Sequence, residues 1–192
     1  MLTQLVTVKA RLGLADAAND DLLTRAIETV SARFDGECGR VFERKVGAQH
    51  TFPASETEII PACYPIEAVT RFEVKSSELV GWVEQQGVDY LLRSASVISL
   101  VLPLSPKEPG VARVTYTGGY VAPGTVVAEG QTALPKDLES AAVEQVAEWF
   151  MNRDKVGLLR HWPSGGIFMV FSQLPLLPVV QATLRRYQRW LV

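Results

Sequence analysis

Cysteine and histidine are scarce in this chain. Two of each (Cys38, Cys63, His50 and His161) stand among 192 residues, too few for a disulfide framework and a poor set for zinc. Both cysteines therefore read as free thiols in a reducing compartment. A dominant charge is missing as well. Nineteen Lys+Arg against 21 Asp+Glu leave a formal net charge of −2, without the basic excess of a protein that coats nucleic acid. The most apolar late stretch, Ile167 to Val180, is too short to span a bilayer and is interrupted by Pro175 and Pro178. The opening Met1-Leu2-Thr3-Gln4 has neither the basic start nor the apolar run of a signal peptide. No internal repeat or low-complexity segment occurs. What is present is an apolar composition, 47% hydrophobic and 21% charged, which can bury a sizeable core and offset the entropy of ordering the chain. The expectation is a soluble, intracellular, globular chain, one domain or one domain with an insertion.

Helical spacing fills the first forty residues. Leu2, Leu5, Val6 and residues 9–12 form a short helix that Gly13 stops. Asn19 or Asp20 caps a longer one, with Asp20 and Asp21 suited to its positive N-terminal end. Leu22, Leu23, Ala26, Ile27, Val30, Phe34 and Cys38 make one apolar stripe, and Gly39 ends it. From Val41 to Tyr120 the period shortens to that of strands. Ile66, Ala68, Thr70, Phe72 and Val74 alternate with charged or outward residues; 88–92 and 97–100 read as hairpin arms around 93–96; 111–117 follows a Pro/Gly-rich turn. Residues 121–133 read as a surface loop. A third helix starts with Pro135 at its first position and buries Leu138, Ala142, Val146, Trp149 and Phe150. After a loop over 155–166, a last helix from Pro178 sets Val180, Leu184, Tyr187 and Leu191 on one face. The expected fold class is α+β: N-terminal helices, a small central antiparallel β region, a long helix and a C-terminal helical arm. The expected organisation is a body over 1–154 (helices 1–40, β region 41–120, helix 135–153) and an arm over 155–192.

Chemistry is hard to find. His161 with Ser164 lacks a third orienting group and matches no hydrolase elbow. Asp20-Asp21 is explained as a helix cap and Glu56 with Glu58 as a solvated loop. Gly118-Gly119 and Gly165-Gly166 lack the Lys-Ser/Thr of a phosphate loop and the strand–glycine–helix setting of a dinucleotide site, so they read as turns. Cys38 falls on an apolar stripe and reads as a small buried hydrophobe. No catalytic residue, metal or cofactor is indicated, and the chain does not read as an enzyme. An enzyme or ligand-binding domain with a pocket at His161, Trp162 and Gly165-Gly166 is the competing class.

Two features stand out in the tail. Residues 178–192 carry three arginines and no acid, as a solvated basic face does or as contact with an acidic partner or nucleic-acid backbone requires. Trp162, Phe168, Phe171, Leu176 and Leu177 belong to an apolar stretch with weak periodicity. Such a stretch either covers the core as an extended arm or docks onto a neighbouring subunit, since aromatics and Arg are enriched at interface centres. An inter-subunit or partner contact is therefore expected from Trp162, Phe168, Phe171, Leu176, Leu177, Leu184, Arg185, Arg186, Tyr187, Arg189 and Trp190, which becomes the portal-side contact if the resemblance described next holds.

The ordered set of motifs resembles the head–tail connector (adaptor, or head-completion) family of tailed bacteriophages and gene transfer agents. The resemblance rests on Asp20-Asp21-Leu22-Leu23 and the helix exit Cys38-Gly39-Arg40-Val41-Phe42, then on Tyr64-Pro65-Ile66. It continues through Val114-Thr115-Tyr116-Thr117-Gly118-Gly119-Tyr120, Leu134-Pro135-Lys136-Asp137-Leu138, and Leu177-Pro178 with Leu184-Arg185-Arg186-Tyr187 and Arg189. The strand region between the helices resembles the longer branch of that family, the smallest adaptors being almost wholly helical. The resemblance implies a non-enzymatic virion subunit of the neck, assembled in a bacterial host cytoplasm as a homo-oligomeric ring of twelve copies. It also implies docking beneath the portal protein, passage of genomic DNA without sequence-specific binding, attachment of a stopper or tail-completion protein below, and no membrane. The stopper beneath the adaptor is the alternative within the neck.

Overall fold

A computed structural model of the chain describes residues 1–105, 110–153, 158–160, 170–171 and 175–189, with backbone alone at 158–160 and 170–171. Among the described residues, four α-helices and eleven strands group into two compact units. One comprises Met1–Cys38 with Leu134–Gln188, the other Gly39–Ala133 with Arg189–Val192. The α+β class is as expected, with helices flanking an antiparallel β region.

The helical unit follows most of its stripes, except that Leu22 of the expected α2 stripe is exposed and Trp149 and Phe150 of the expected α3 stripe are only half-buried. Helix α1 (Leu5–Leu12) ends where Gly13 takes the left-handed conformation, φ 69°, and Gly13 and Leu14 donate to the carbonyls of Ala10 and Lys9. Helix α2 (Asp20–Cys38) buries Leu23, Ile27, Val30, Phe34 and Cys38, one residue per turn of a single face. Each large side chain removed from water there contributes about 1.5–3 kcal/mol before entropy is charged. Asp20 sits in the first turn of α2 and accepts from Lys9 Nζ at 2.6 Å, tying α1 to α2. Helix α3 (Lys136–Met151) packs on α1, α2 and α4 (Pro178–Leu184). Contacts on several sides require a wider apolar face, so Ala141, Val143 and Ala147 are buried beside the expected Leu138, Ala142 and Val146. Pro135 sits at the N-cap position on extended backbone (ψ 134°) instead of opening α3, which begins at Lys136, one residue later than expected.

The tail helix is shorter than its spacing implies. α4 stops at Leu184, a 3-10 turn takes Arg185–Tyr187, and Gln188 is extended at ψ 135°. The Leu191 end of the expected stripe lies outside the described residues. The body over 1–154 and arm over 155–192 is a different partition from the two compact units. Much of the arm is outside the described residues, and its described helix, α4, buries Val180 and Leu184 within the helical unit.

The β unit holds a four-stranded sheet ordered β1 (Lys45–Pro53), β7 (Val111–Gly118), β3 (Ile66–Lys75), β4 (Val83–Gln85), and a three-stranded sheet ordered β2 (Glu58–Ile59), β6 (Val97–Leu100), β5 (Tyr90–Arg93). Both are antiparallel. β7 keeps strict alternation, with Ala112, Val114, Tyr116 and Gly118 buried. β3 does not, and the expected Ala68 and Thr70 are exposed. Its pairing with β7 shifts between Ile66 and Ala68 and again between Val69 and Arg71. Each bulge puts two residues opposite one and reverses the face of everything beyond it. The inward set is therefore Ile66, Val69, Phe72 and Val74, packed with Phe52, Ile59, Cys63, Ile98 and Tyr116. The hairpin between β5 and β6 turns through Ser94 and Ala95, both at positive φ, where it was expected. Residues 121–133 hold one short departure from a loop: β9 (Thr132–Ala133) pairs in parallel with β8 (Tyr120–Val121). Strands β10 (Leu158–Arg160) and β11 (Val170–Phe171) pair antiparallel.

Candidate interaction surface

The structure builds internal supports at most of the motifs that invite a chemical reading. Gly118 and Gly119 form a close crossing of backbones. A Cβ on Gly118 would lie 2.6 Å from the Cys63 carbonyl oxygen and 2.9 Å from that of Pro65. Cys63 is buried in the β unit with its Sγ 3.1 Å from the Gly118 carbonyl, and Cys38 is buried with its Sγ 3.5 Å from the Leu184 carbonyl. His50 points inward from β1 and is half-buried. Burial, then the positive charge of Arg189, lowers its pKa below the ordinary 6.5. His161, Ser164, Trp162 and the Gly165-Gly166 pair lie outside the described residues. Among the described residues no group of three His, Cys, Asp or Glu could hold a metal ion, and no helix is long and apolar enough to cross a membrane.

The helix exit motif is also internal. Arg40 is buried, with its guanidinium carbon 3.3 Å from the centre of the Tyr64 ring, 4.8 Å from Phe42 and 5.4 Å from Tyr120. Its Nη2 donates to the Tyr64 carbonyl. A cation held on three aromatic faces fixes the start of the β unit, a sharper role than the Gly-Arg-aromatic pattern alone conveys. Two further polar devices escaped the sequence reading. Glu73 is buried on β3 and receives Arg113 at 2.8 Å, while that guanidinium lies 4.3 Å from the Trp82 ring centre. Gln145 is fully buried on α3, and its Oε1 accepts the Leu177 N–H at 2.8 Å. Period-two and period-3.6 patterns mark such positions as outward polar residues, so neither had a signal short of its partner.

The tail residues separate into two groups. Leu176 and Leu184 are buried in the helical unit and Leu177 is half-buried. Their apolar surface is spent on α3 and α2, which answers one of the two uses expected of this stretch. Tyr187 donates to Asp137 Oδ1 at 2.7 Å, pinning the 3-10 turn to the start of α3. Arg189 belongs to the β unit, where its Nη2 donates to the Ile60 carbonyl. Arg185 and Arg186 are exposed on successive positions of the turn. Trp162, Phe168 and Trp190 lie outside the described residues, as does the Phe171 side chain. Of the expected contact residues whose side chains are described, Arg185 and Arg186 are the exposed pair, and both are cationic.

No protein-family model matches the chain, and no curated protein matches it. Solved structures do. A chain from the neck of an empty gene transfer agent (GTA) particle, computed with C6 symmetry, superposes with a TM-score of 0.60 at 17% identity, covering 98% of this chain and 90% of that one. A chain from the virion of the native GTA particle gives a TM-score of 0.59 at 18% identity over the same shares. The chain has the fold of these neck and virion components from end to end, the fold that its motif order resembled.

Proposed function

We propose that this chain is a structural subunit of a particle neck, a head–tail connector of the adaptor type. The observation that carries the reading is the whole-length likeness, 98% of this chain against 90% of a GTA neck chain. A shared domain would cover part of each chain; here the same order of helices, sheets and helices accounts for nearly all of both. The adaptor forms a ring beneath the portal, lets the genome pass, and offers its lower face to a stopper or tail-completion protein. Sixfold symmetry of the neck chain's assembly admits rings whose copy number is a multiple of six, and twelve is such a number. A net charge of −2 suits a subunit whose ring DNA must slide through without sticking.

The exposed Arg185-Arg186 pair is the portal-side element of this reading, together with the tail residues around it. Paired guanidiniums at a surface turn complement acidic groups on a partner and act first on encounter rate and orientation. The test is native mass of the purified chain, alone and with the portal ring from the same gene cluster. A gain of one chain per portal subunit is expected. A chain that ignores the portal but binds a preassembled portal–adaptor complex would replace this reading with that of the stopper.

A further inference from the structure

The described tail segment is held on the helical unit by one row of apolar side chains and by a polar bond at each end. Leu176, Val180 and Leu184 are buried at every fourth position. A row that narrow resists withdrawal but not rolling, because apolar burial is non-directional and a helix can turn about its contact line with little change in buried area. Room to roll lies beside the row. α3 and α4 part over a groove of about 350 Å³, which Ser140 and Ala141 line from one side and Val179 and Thr183 from the other. The polar side chains along the groove do not close it. Gln181 Nε2 donates to the Leu176 carbonyl at 3.0 Å and Thr183 Oγ1 to that of Val179 at 3.1 Å, both within the segment. Glu144, on the α3 wall, is engaged by Arg11.

The end bonds act differently. Gln145 Oε1 accepts the Leu177 N–H at 2.8 Å, just ahead of α4, and Asp137 Oδ1 accepts the Tyr187 hydroxyl at 2.7 Å, at the close of the 3-10 turn. Both acceptors stand on α3, eight residues and about 12 Å apart along its axis. Two directional bonds at that separation fix the angle of the segment as well as its position. The Cys38 thiol, 3.5 Å from the Leu184 carbonyl, adds only a weak donor between them.

We infer that Gln145 and Asp137 are positioning residues for the contact made by Arg185 and Arg186. The inference rests on the docking reading above. Successive residues of a 3-10 turn point about 120° apart, so the two guanidiniums reach one surface together only over a narrow range of roll. The end bonds select one roll before a partner arrives, and a pair presented in advance binds more tightly than one that must be ordered on contact. If the loss of one bond leaves the docking roll populated about a tenth of the time, affinity falls about tenfold.

Spin labels on Glu28→Cys of α2 and Ala182→Cys of α4, both exposed positions of the helical unit, read the roll directly; the native thiols are buried and stay in every variant. Tyr187→Phe removes one hydroxyl. It should broaden the label distance with circular dichroism unchanged, and weaken binding to the portal ring about tenfold. The salt dependence of that binding should stay as in wild type, because both arginines remain. Asp137→Asn keeps an acceptor for Tyr187 and should hold the wild-type distance and affinity, whereas Asp137→Ala should behave as Tyr187→Phe does. Gln145→Met, close in volume and without the acceptor, should broaden the distance as well. A narrow distance in Tyr187→Phe or in Gln145→Met would overturn the inference. So would a broad distance with wild-type affinity, although docking itself would then stand. A wild-type chain that does not bind the portal would remove the docking reading, and this inference with it.

Discussion

Three glycine-to-alanine replacements separate backbone crowding from backbone conformation, and their order follows from geometry alone. Gly119 sits at φ 99°, and a Cβ there would lie 2.7 Å from the Glu43 carbonyl oxygen, 2.8 Å from Arg44 Cα and 2.9 Å from Arg44 N. All three are main-chain atoms. They are held by the Tyr120 N–H on the Phe42 carbonyl at 2.7 Å and the Arg44 N–H on the Tyr120 carbonyl at 2.9 Å, so they cannot retreat without losing those bonds. The left-handed conformation costs alanine about 1–2 kcal/mol, and forcing a methyl into a filled site costs about 1–3 kcal/mol more. Gly119→Ala should therefore destabilise the β unit by about 2–5 kcal/mol.

Gly130, at φ 81°, has nothing within 4 Å of a built Cβ, so only the conformational cost of about 1–2 kcal/mol applies. Gly36 lies in α2, also with nothing within 4 Å, and alanine there should stabilise by about 0.5–1 kcal/mol. Urea unfolding followed by far-UV circular dichroism, with hydrogen exchange of the β7 amides to isolate the β unit, gives the three values. With a slope of about 1–3 kcal/mol/M, a loss of about 3 kcal/mol moves the midpoint by about 1–3 M. If Gly119→Ala proves no more harmful than Gly130→Ala, the crossing at Gly119 is not close and the reasoning is refuted.

Other perturbations follow from single contacts. His50 is held neutral in the folded β unit, so the unfolded chain takes up its proton first as pH falls. Stability is full above the ordinary pKa of 6.5 and declines below it, and His50→Gln should flatten that limb in urea midpoints measured across pH 5 to 7.5. Glu144, whose pKa is lowered by hydrogen bonding to Arg11, contributes in the opposite region: its share is present above the ordinary carboxylate pKa and is lost as pH falls through the depressed one. Thermal melts of Glu144→Gln should differ from wild type more at pH 7 than at pH 3. Leu184→Ala, which removes a fully enclosed side chain from the helical unit, should cost about 2–5 kcal/mol by denaturant unfolding. Arg185→Glu with Arg186→Glu should leave stability within about 0.5 kcal/mol of wild type and abolish the portal-dependent mass gain; retained docking would remove the pair from the portal face.

The parts of the fold that were legible are those where one period decides. α2 shows its buried face as Leu23, Ile27, Val30, Phe34 and Cys38 because one buried residue per turn recurs along a single stripe. β7 alternates without interruption for the same reason. β3 defeats the same rule although its sequence alternates better, because two bulges reset its phase and bulges arise from pairing with β7, which no local pattern contains. Glu73 falls on the charged side of the expected alternation and Gln145 on neither expected stripe of its helix, since a polar residue is assigned inside only when its partner is known, and those partners lie at Arg113 and Leu177.

The tail shows why composition alone could not choose between a core-covering segment and a docking arm. Both uses need apolar residues, and only packing tells which have been consumed. Leu176, Val180 and Leu184 are consumed by α3 and α2, and the main chain that carries them is bonded to the fully buried Gln145. Removing 175–192 would therefore strip three core side chains and orphan that amide, costs that together rival the whole stability of a small domain, about 5–15 kcal/mol. Such a deletion would abolish docking whether or not the tail touches the portal. Substitution of Arg185 and Arg186 carries no such penalty, because neither side chain is buried. What this segment leaves free for the proposed contact is thus its cationic turn, which follows a helix whose apolar residues Val180 and Leu184 are buried in the helical unit.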